Sequence, residues 1–90
     1  MHAVVVRVTI DDFDRGRQFL TEELVPRVKQ APGFVTGHWT RSDDGSNGLS
    51  LIVFESEENA RGVVDMIQSQ GPGEGVTLDD AEVREVVASA

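Results

Sequence analysis

Residues 49–54 read Leu49-Ser50-Leu51-Ile52-Val53-Phe54, a run in which Leu49, Leu51 and Val53 alternate with Ser50, Ile52 and Phe54. Successive side chains of a strand point to opposite faces, so this segment is apolar on both faces except for one serine. The same holds near the N-terminus. In Ala3–Ile10, Val4, Val6, Val8 and Ile10 point one way, while Ala3, Val5, Arg7 and Thr9 point the other. The run is rich in β-branched residues and is cut off by Asp11 and Asp12, which suits a buried strand and not a helix. Strands with two apolar faces belong in the middle of a sheet. Residues 34–41 and 83–88 are more polar, as edge strands are.

Between these strands lie two helical patterns. Asp11 or Asp12 can cap a helix whose apolar positions Leu20, Leu24, Val28 and Ala31 recur at spacings of four, four and three. Phe13 and Phe19 are expected to pack near its start. Pro26 lies inside the pattern, where it removes the hydrogen bond to the Glu22 carbonyl and predicts a kink or break near Val25. Ala31-Pro32-Gly33 ends the helix, and Ser42–Gly48 reads as a polar hairpin loop. Ser56, followed by Glu57 and Glu58, opens a second helix in which Ala60, Val63, Val64 and Ile67 keep the i, i+3, i+4, i+7 rhythm. Gly71-Pro72 stops it, and Gly73-Glu74-Gly75 reads as a connection.

The resulting order is β-α-β-β-α-β in a single domain over residues 1–90. Two right-handed crossovers interleave to give a four-stranded antiparallel sheet of order 4-1-3-2 with two helices on one face. Two helices cover only one face. The uncovered face would expose an apolar patch of the kind monomers avoid, and a second copy in a twofold contact is its simplest cover.

Composition narrows the partners. The chain has 90 residues, 39% hydrophobic and 27% charged, with a formal net charge of -8. Such a composition folds, but the charge argues against nucleic acid or an anionic membrane surface as partner. With no cysteine there is no disulfide framework and no thiolate nucleophile, which fits a cytoplasmic protein. The opening MHAVVVRVTI has no basic region, no small-residue cleavage site and too short an apolar run for a signal peptide or a membrane span.

The element order, the segment Glu23-Leu24-Val25-Pro26-Arg27-Val28 leading into Ala31-Pro32-Gly33-Phe34-Val35, and Gly48–Ser56 feeding an acidic helix start resemble the dimeric α/β-barrel superfamily. Within it, the chain is most similar to antibiotic biosynthesis monooxygenase (ABM) domains and the small proteins grouped with them. The likeness spans nearly the whole chain and implies a ferredoxin-like fold and a homodimer. It implies no metal or flavin. The superfamily includes cofactor-independent oxygenases of aromatic polyketides, haem-degrading enzymes and mutases, so fold alone does not set the chemistry. Haem-degrading members carry an Asn on the first strand and a helical His; this chain has Arg7 and Thr9 on the first strand and no His after His38. The polyketide oxygenases use Asn, Trp and Arg; Trp39 and an arginine match, whereas Asn47 and Asn59 lie in a loop and at a helix start. RNA-recognition motifs share the element order but stack bases on central-strand aromatics, and here leucines stand in their place.

The candidate chemical residues are Arg7, His38 and Trp39. His38 and Trp39 are neighbours on one strand and so point to opposite faces, only one of them toward a cavity. His38 is either a proton shuttle or a strand histidine at an interface or in solvent. Trp39 either stacks on a planar ligand or anchors a core or interface. Arg7, a charge inside an apolar strand, must reach water, a carboxylate or a bound anion: a salt bridge across a dimer with Glu55 or Glu85, or a ligand contact. Arg41, at a strand end, reads as solvated, as do the Asp43-Asp44 and Asp79-Asp80 turns. The expectation is an ABM-like dimer that binds a small apolar or aromatic molecule, with cofactor-independent monooxygenation as its enzymatic form. The alternative is a non-catalytic dimeric module for a metabolite or partner protein. An open apolar cavity with an inward arginine or histidine favours the first, and a filled one without polar groups the second.

Overall fold

A computed structural model describes all residues 1–90. Four strands, β1 (His2–Ile10), β2 (Phe34–Arg41), β3 (Asn47–Phe54) and β4 (Val76–Glu85), form one antiparallel sheet of order β2-β3-β1-β4. This is the expected 4-1-3-2 order, with the two-sided apolar strands in the centre. One face carries two helical arms. The first runs through α1 (Phe13–Phe19), a π-helical turn (Leu20–Leu24) and α2 (Val25–Lys29); the second is α3 (Glu57–Gln70). No helix is long and apolar enough to cross a membrane.

The caps follow the sequence. The Asp12 carboxylate accepts the Arg15 N–H at 3.2 Å, and the Ser56 hydroxyl accepts the Asn59 N–H at 3.1 Å. Around Pro26 the helix widens where a kink was expected: the Val25 N–H donates to the Leu20 carbonyl, five residues back. A proline has no N–H for the Glu22 carbonyl and its ring crowds that oxygen, so a wider turn just ahead of it absorbs the conflict.

The core lies between the helices and the even-numbered side of β1. Val4, Val28, Ile52 and Phe54 are its fully buried large side chains, and Ala60, Val63, Val64 and Ile67 contribute the buried stripe of α3. Phe54 is held edge-on by Phe34, ring centroids 6.2 Å apart. Truncating Phe54 to alanine would cost about 3–5 kcal/mol, a large share of the stability of so small a domain.

β4 corrects the expected boundary. It begins at Val76 and ends at Glu85, not 83–88, and so takes in Asp79-Asp80, which reads in sequence as a turn. The register of β4 against β1 shifts between Arg7 and Val8, a bulge that breaks the alternation. The two aspartates stay on the strand because each is partnered: Thr9 Oγ1 donates to Asp79 at 2.9 Å, and Arg7 lies 3.5 Å from Asp80.

On the outer face, away from the helices, Leu49 and Leu51 remain 42% and 44% exposed. Ala3 and Val5 beside them are buried. Arg7 reaches Asp80 and Glu82, each at 3.5 Å, and Arg84 reaches Glu82 at 2.7 Å, so charged side chains with long aliphatic stems line this flank. The exposed apolar patch is therefore narrower than the sequence implies, and it centres on β3.

Candidate ligand-binding cavity

The strands and helices do not close completely. Between the inner sheet face and the first helical arm is a cavity of about 300 Å³, twelve of whose twenty lining residues are apolar. Its sheet wall is built by parity. Val6 of β1 pairs with Ser50 of β3, which pairs with Trp39 of β2, so all three point inward in one row. The next row is Val8, Gly48 and Arg41. Gly48 is buried, and a Cβ there would sit 3.1 Å from both the Thr40 carbonyl and a Val8 methyl. Its bare backbone is what the close approach of these strands allows.

Trp39 lies down along its own strand: a Cβ on Gly37 would meet the far edge of the indole at 2.8 Å. Only a glycine leaves room for that pose, which turns the ring toward the cavity. Phe13, Phe19 and Leu20 close the helical side, together with Leu24 and Val28. The π turn carries Leu20 and Leu24 and so shapes this wall directly.

The 71–75 connection forms part of the rim, and Gly75 fixes it. At φ +76 the Gly75 carbonyl accepts the N–H groups of Asp11 and Asp12 at 2.8 and 2.9 Å, and any Cβ would run into the Asp12 carbonyl. This clasp holds Glu74 beside α1, where Arg15 pairs with it at 3.0 Å.

The polar groups of the cavity are few. Ser50 is 8% exposed, and its hydroxyl has no hydrogen-bond partner in the protein; the nearby Thr40 hydroxyl, by contrast, donates to the Leu49 carbonyl at 2.6 Å. At the rim are Arg17, Arg41 and Glu74. Arg41 places its guanidinium 3.7 Å from the centroid of the Phe13 ring, a cation–π contact across the rim. The expected solvated Arg41 is thus exposed but drawn over the cavity.

The three sequence candidates are not brought together. Trp39 lines the cavity. His38 sits on the outer face, exposed and opposite Leu51. Arg7 is on the same outer face, and its carboxylate partners are Asp80 and Glu82 of its own chain, not Glu55 or Glu85. Sequence reading missed Ser50, Arg17 and Glu74 as cavity residues and left Arg41 to solvent. For Ser50 and Arg41 the signal was present, since they share parity with Ile52 and Trp39.

Neither the known protein-family models nor the curated proteins give a match to this sequence. Solved structures do. HapK from Hahella chejuensis is similar over 100% of this chain and 96% of its own, with a TM-score of 0.67 at 10% identity. A monooxygenase from the gene ActVA-Orf6 of Streptomyces coelicolor, in complex with nanaomycin D, is similar over 99% of this chain and 92% of its own, with a TM-score of 0.62 at 18% identity. A dimeric ferredoxin-like protein from an uncultured marine organism is similar over 100% and 98%, with a TM-score of 0.61 at 12% identity. Likenesses at these identities speak to the fold alone, and the fold of this chain is ferredoxin-like, as in those structures.

Proposed function

We propose that the protein binds a small, largely apolar aromatic molecule in the cavity between sheet and helices, and that it oxygenates an electron-rich ring there without a cofactor. The observation that carries this reading is the cavity itself: about 300 Å³, mostly apolar, with a tryptophan on its wall and arginines at its rim. That volume is at the small end of small-molecule pockets. It suits one or two fused rings. In such a reaction the substrate is its own reductant: a ring CH₂ or CH beside a phenol becomes a carbonyl, one atom of O₂ enters the product, and the other leaves as water. A dry cavity and a flat indole would hold the ring in place while it reacts.

The cavity wall contains no histidine, and its one carboxylate, Glu74, is engaged by Arg15. The inward arginines of an open apolar cavity favour the oxygenase, and the lack of a free acid or base on its wall is what sustains a second reading, a binding module without catalysis. We further take the functional unit to be a homodimer joined through the outer sheet face, on the strength of the exposed Leu49 and Leu51.

The test is a titration with a panel of quinols and phenols, followed by Trp39 fluorescence together with an oxygen electrode. Binding with oxygen uptake supports the oxygenase, and binding without uptake supports the module. No fluorescence response to any member, with no oxygen uptake, would refute the oxygenase and the binding of a small aromatic in this cavity, and would leave a module for another metabolite or a partner protein.

A further inference from the structure

Four of the eight basic side chains, Arg7, Arg15, Arg61 and Arg84, pair with carboxylates of the chain itself. Of the remaining four, Arg17 and Arg41 line the cavity. In a chain with sixteen acidic residues and a net charge of -8, these two arginines stand at one opening and neither has a carboxylate partner. Arg41 is held by the Phe13 ring instead, and the one acidic lining residue, Glu74, is already taken by Arg15. Counting Arg15, Arg17 and Arg41 against Glu74 leaves two positive charges unmatched at the rim. Deeper in, Ser50 is more than nine-tenths buried, faces the cavity, and has an unused hydroxyl. The hydroxyl opens onto the cavity with no protein group bonded to it, so a ligand oxygen can take it up directly.

Resting on the cavity reading above, we propose that the ligand is an aromatic acid: a planar ring system against Trp39, a hydroxyl or carbonyl oxygen at Ser50, and a carboxylate at the rim between Arg41 and Arg17. Each polar element then has one role. The arginines select an anion, since a planar guanidinium matches a carboxylate in a bidentate pair. Ser50 sets which way round the ring enters. Phe13 holds Arg41 over the opening before the ligand arrives, which lowers the ordering cost of binding.

The experiment uses three probes of one shape: 2-naphthoate, its neutral counterpart 2-naphthalenemethanol, and 6-hydroxy-2-naphthoate. Affinities are read by Trp39 fluorescence and by calorimetry. The expected result is that 2-naphthoate binds at least about tenfold tighter than the neutral alcohol, the scale of a charge-assisted hydrogen bond. Arg17→Gln combined with Arg41→Gln should erase that preference and leave alcohol binding within about threefold. Ser50→Ala should remove the advantage of 6-hydroxy-2-naphthoate over 2-naphthoate, and leave 2-naphthoate itself little changed. Equal binding of acid and alcohol by the native protein would overturn the proposal while leaving the cavity reading intact. Binding of none of the three would sink both.

Discussion

Leu51 offers a way to test the outer face separately from the cavity. It sits in the middle of β3, opposite Val5 of β1 and His38 of β2, and 44% of it is exposed in one protomer; Leu49 is 42% exposed. Full burial of a leucine side chain is worth about 1.5–3 kcal/mol, so covering the exposed part of each contributes about 1 kcal/mol. Two leucines in each of two copies supply about 4 kcal/mol to a twofold contact on that arithmetic. Leu51→Ala removes about 2 kcal/mol of this per dimer, which weakens the dissociation constant about 30-fold. Leu51→Asp, which brings two carboxylates into an apolar contact, should leave only monomer. Sedimentation equilibrium over a range of concentrations measures this free of effects on folding, because both reference states are folded protomers. Circular dichroism checks that the variants keep the native sheet. A native protein that stays monomeric at tens of micromolar, or a Leu51→Ala dissociation constant within threefold of native, would refute the reasoning.

Two further expectations concern the cavity and the hairpin. Ser50→Val replaces a cavity-facing hydroxyl by apolar volume that fills part of the space, so it should stabilise the fold by about 1 kcal/mol, raise Tm by about 4–8 °C, and weaken ligand binding; thermal melts and the same titrations read both halves. In the β2–β3 turn the Asp44 carboxyl is held down to about 2 from an ordinary 3.8 by the Ser46 N–H and by the Ser42 and Ser46 hydroxyls. A group depressed in the folded state stabilises it above its unfolded pKa, so this contribution is complete above about pH 4 and is lost as pH falls toward 2. Urea unfolding between pH 5 and 2 should therefore show a shallower acid-side fall in Asp44→Asn than in the native chain. Glu82, lowered by hydrogen bonding to Arg84 and then by Arg7, adds to the same fall in both proteins.

What the sequence disclosed and what it hid have the same cause. Strand faces were legible wherever alternation runs unbroken: in β1 and β3 the inner sets Val4, Val6, Val8 and Ser50, Ile52, Phe54 are those found. Alternation fails at bulges. The register of β2 shifts between Phe34 and Thr36, so counting by twos from the inward Phe34 would place His38 inside, whereas Trp39 is the inward residue. The bulge opposite Arg7 hid the first half of β4 in the same way, and with it the true partners of Arg7. Both helix starts were readable because capping is local chemistry. The π turn was not, since Pro26 announces a conflict without saying how the backbone resolves it. The rim was the least legible part: Arg17, Arg41 and Glu74 come from three separate segments, and only the folded chain brings them to one opening.

The central claim is that a small aromatic molecule enters the cavity and lies against Trp39. Trp39 is the one tryptophan of the chain, so its indole N–H gives a single resolved signal in a proton–nitrogen correlation spectrum. Titration with 2-naphthoate should shift that signal saturably, in step with the amides of the cavity residues Val6, Ser50 and Ile52 and not with those of Leu49 or His38 on the outer face. An indole signal that stays in place, or shifts confined to the outer face, would contradict the account.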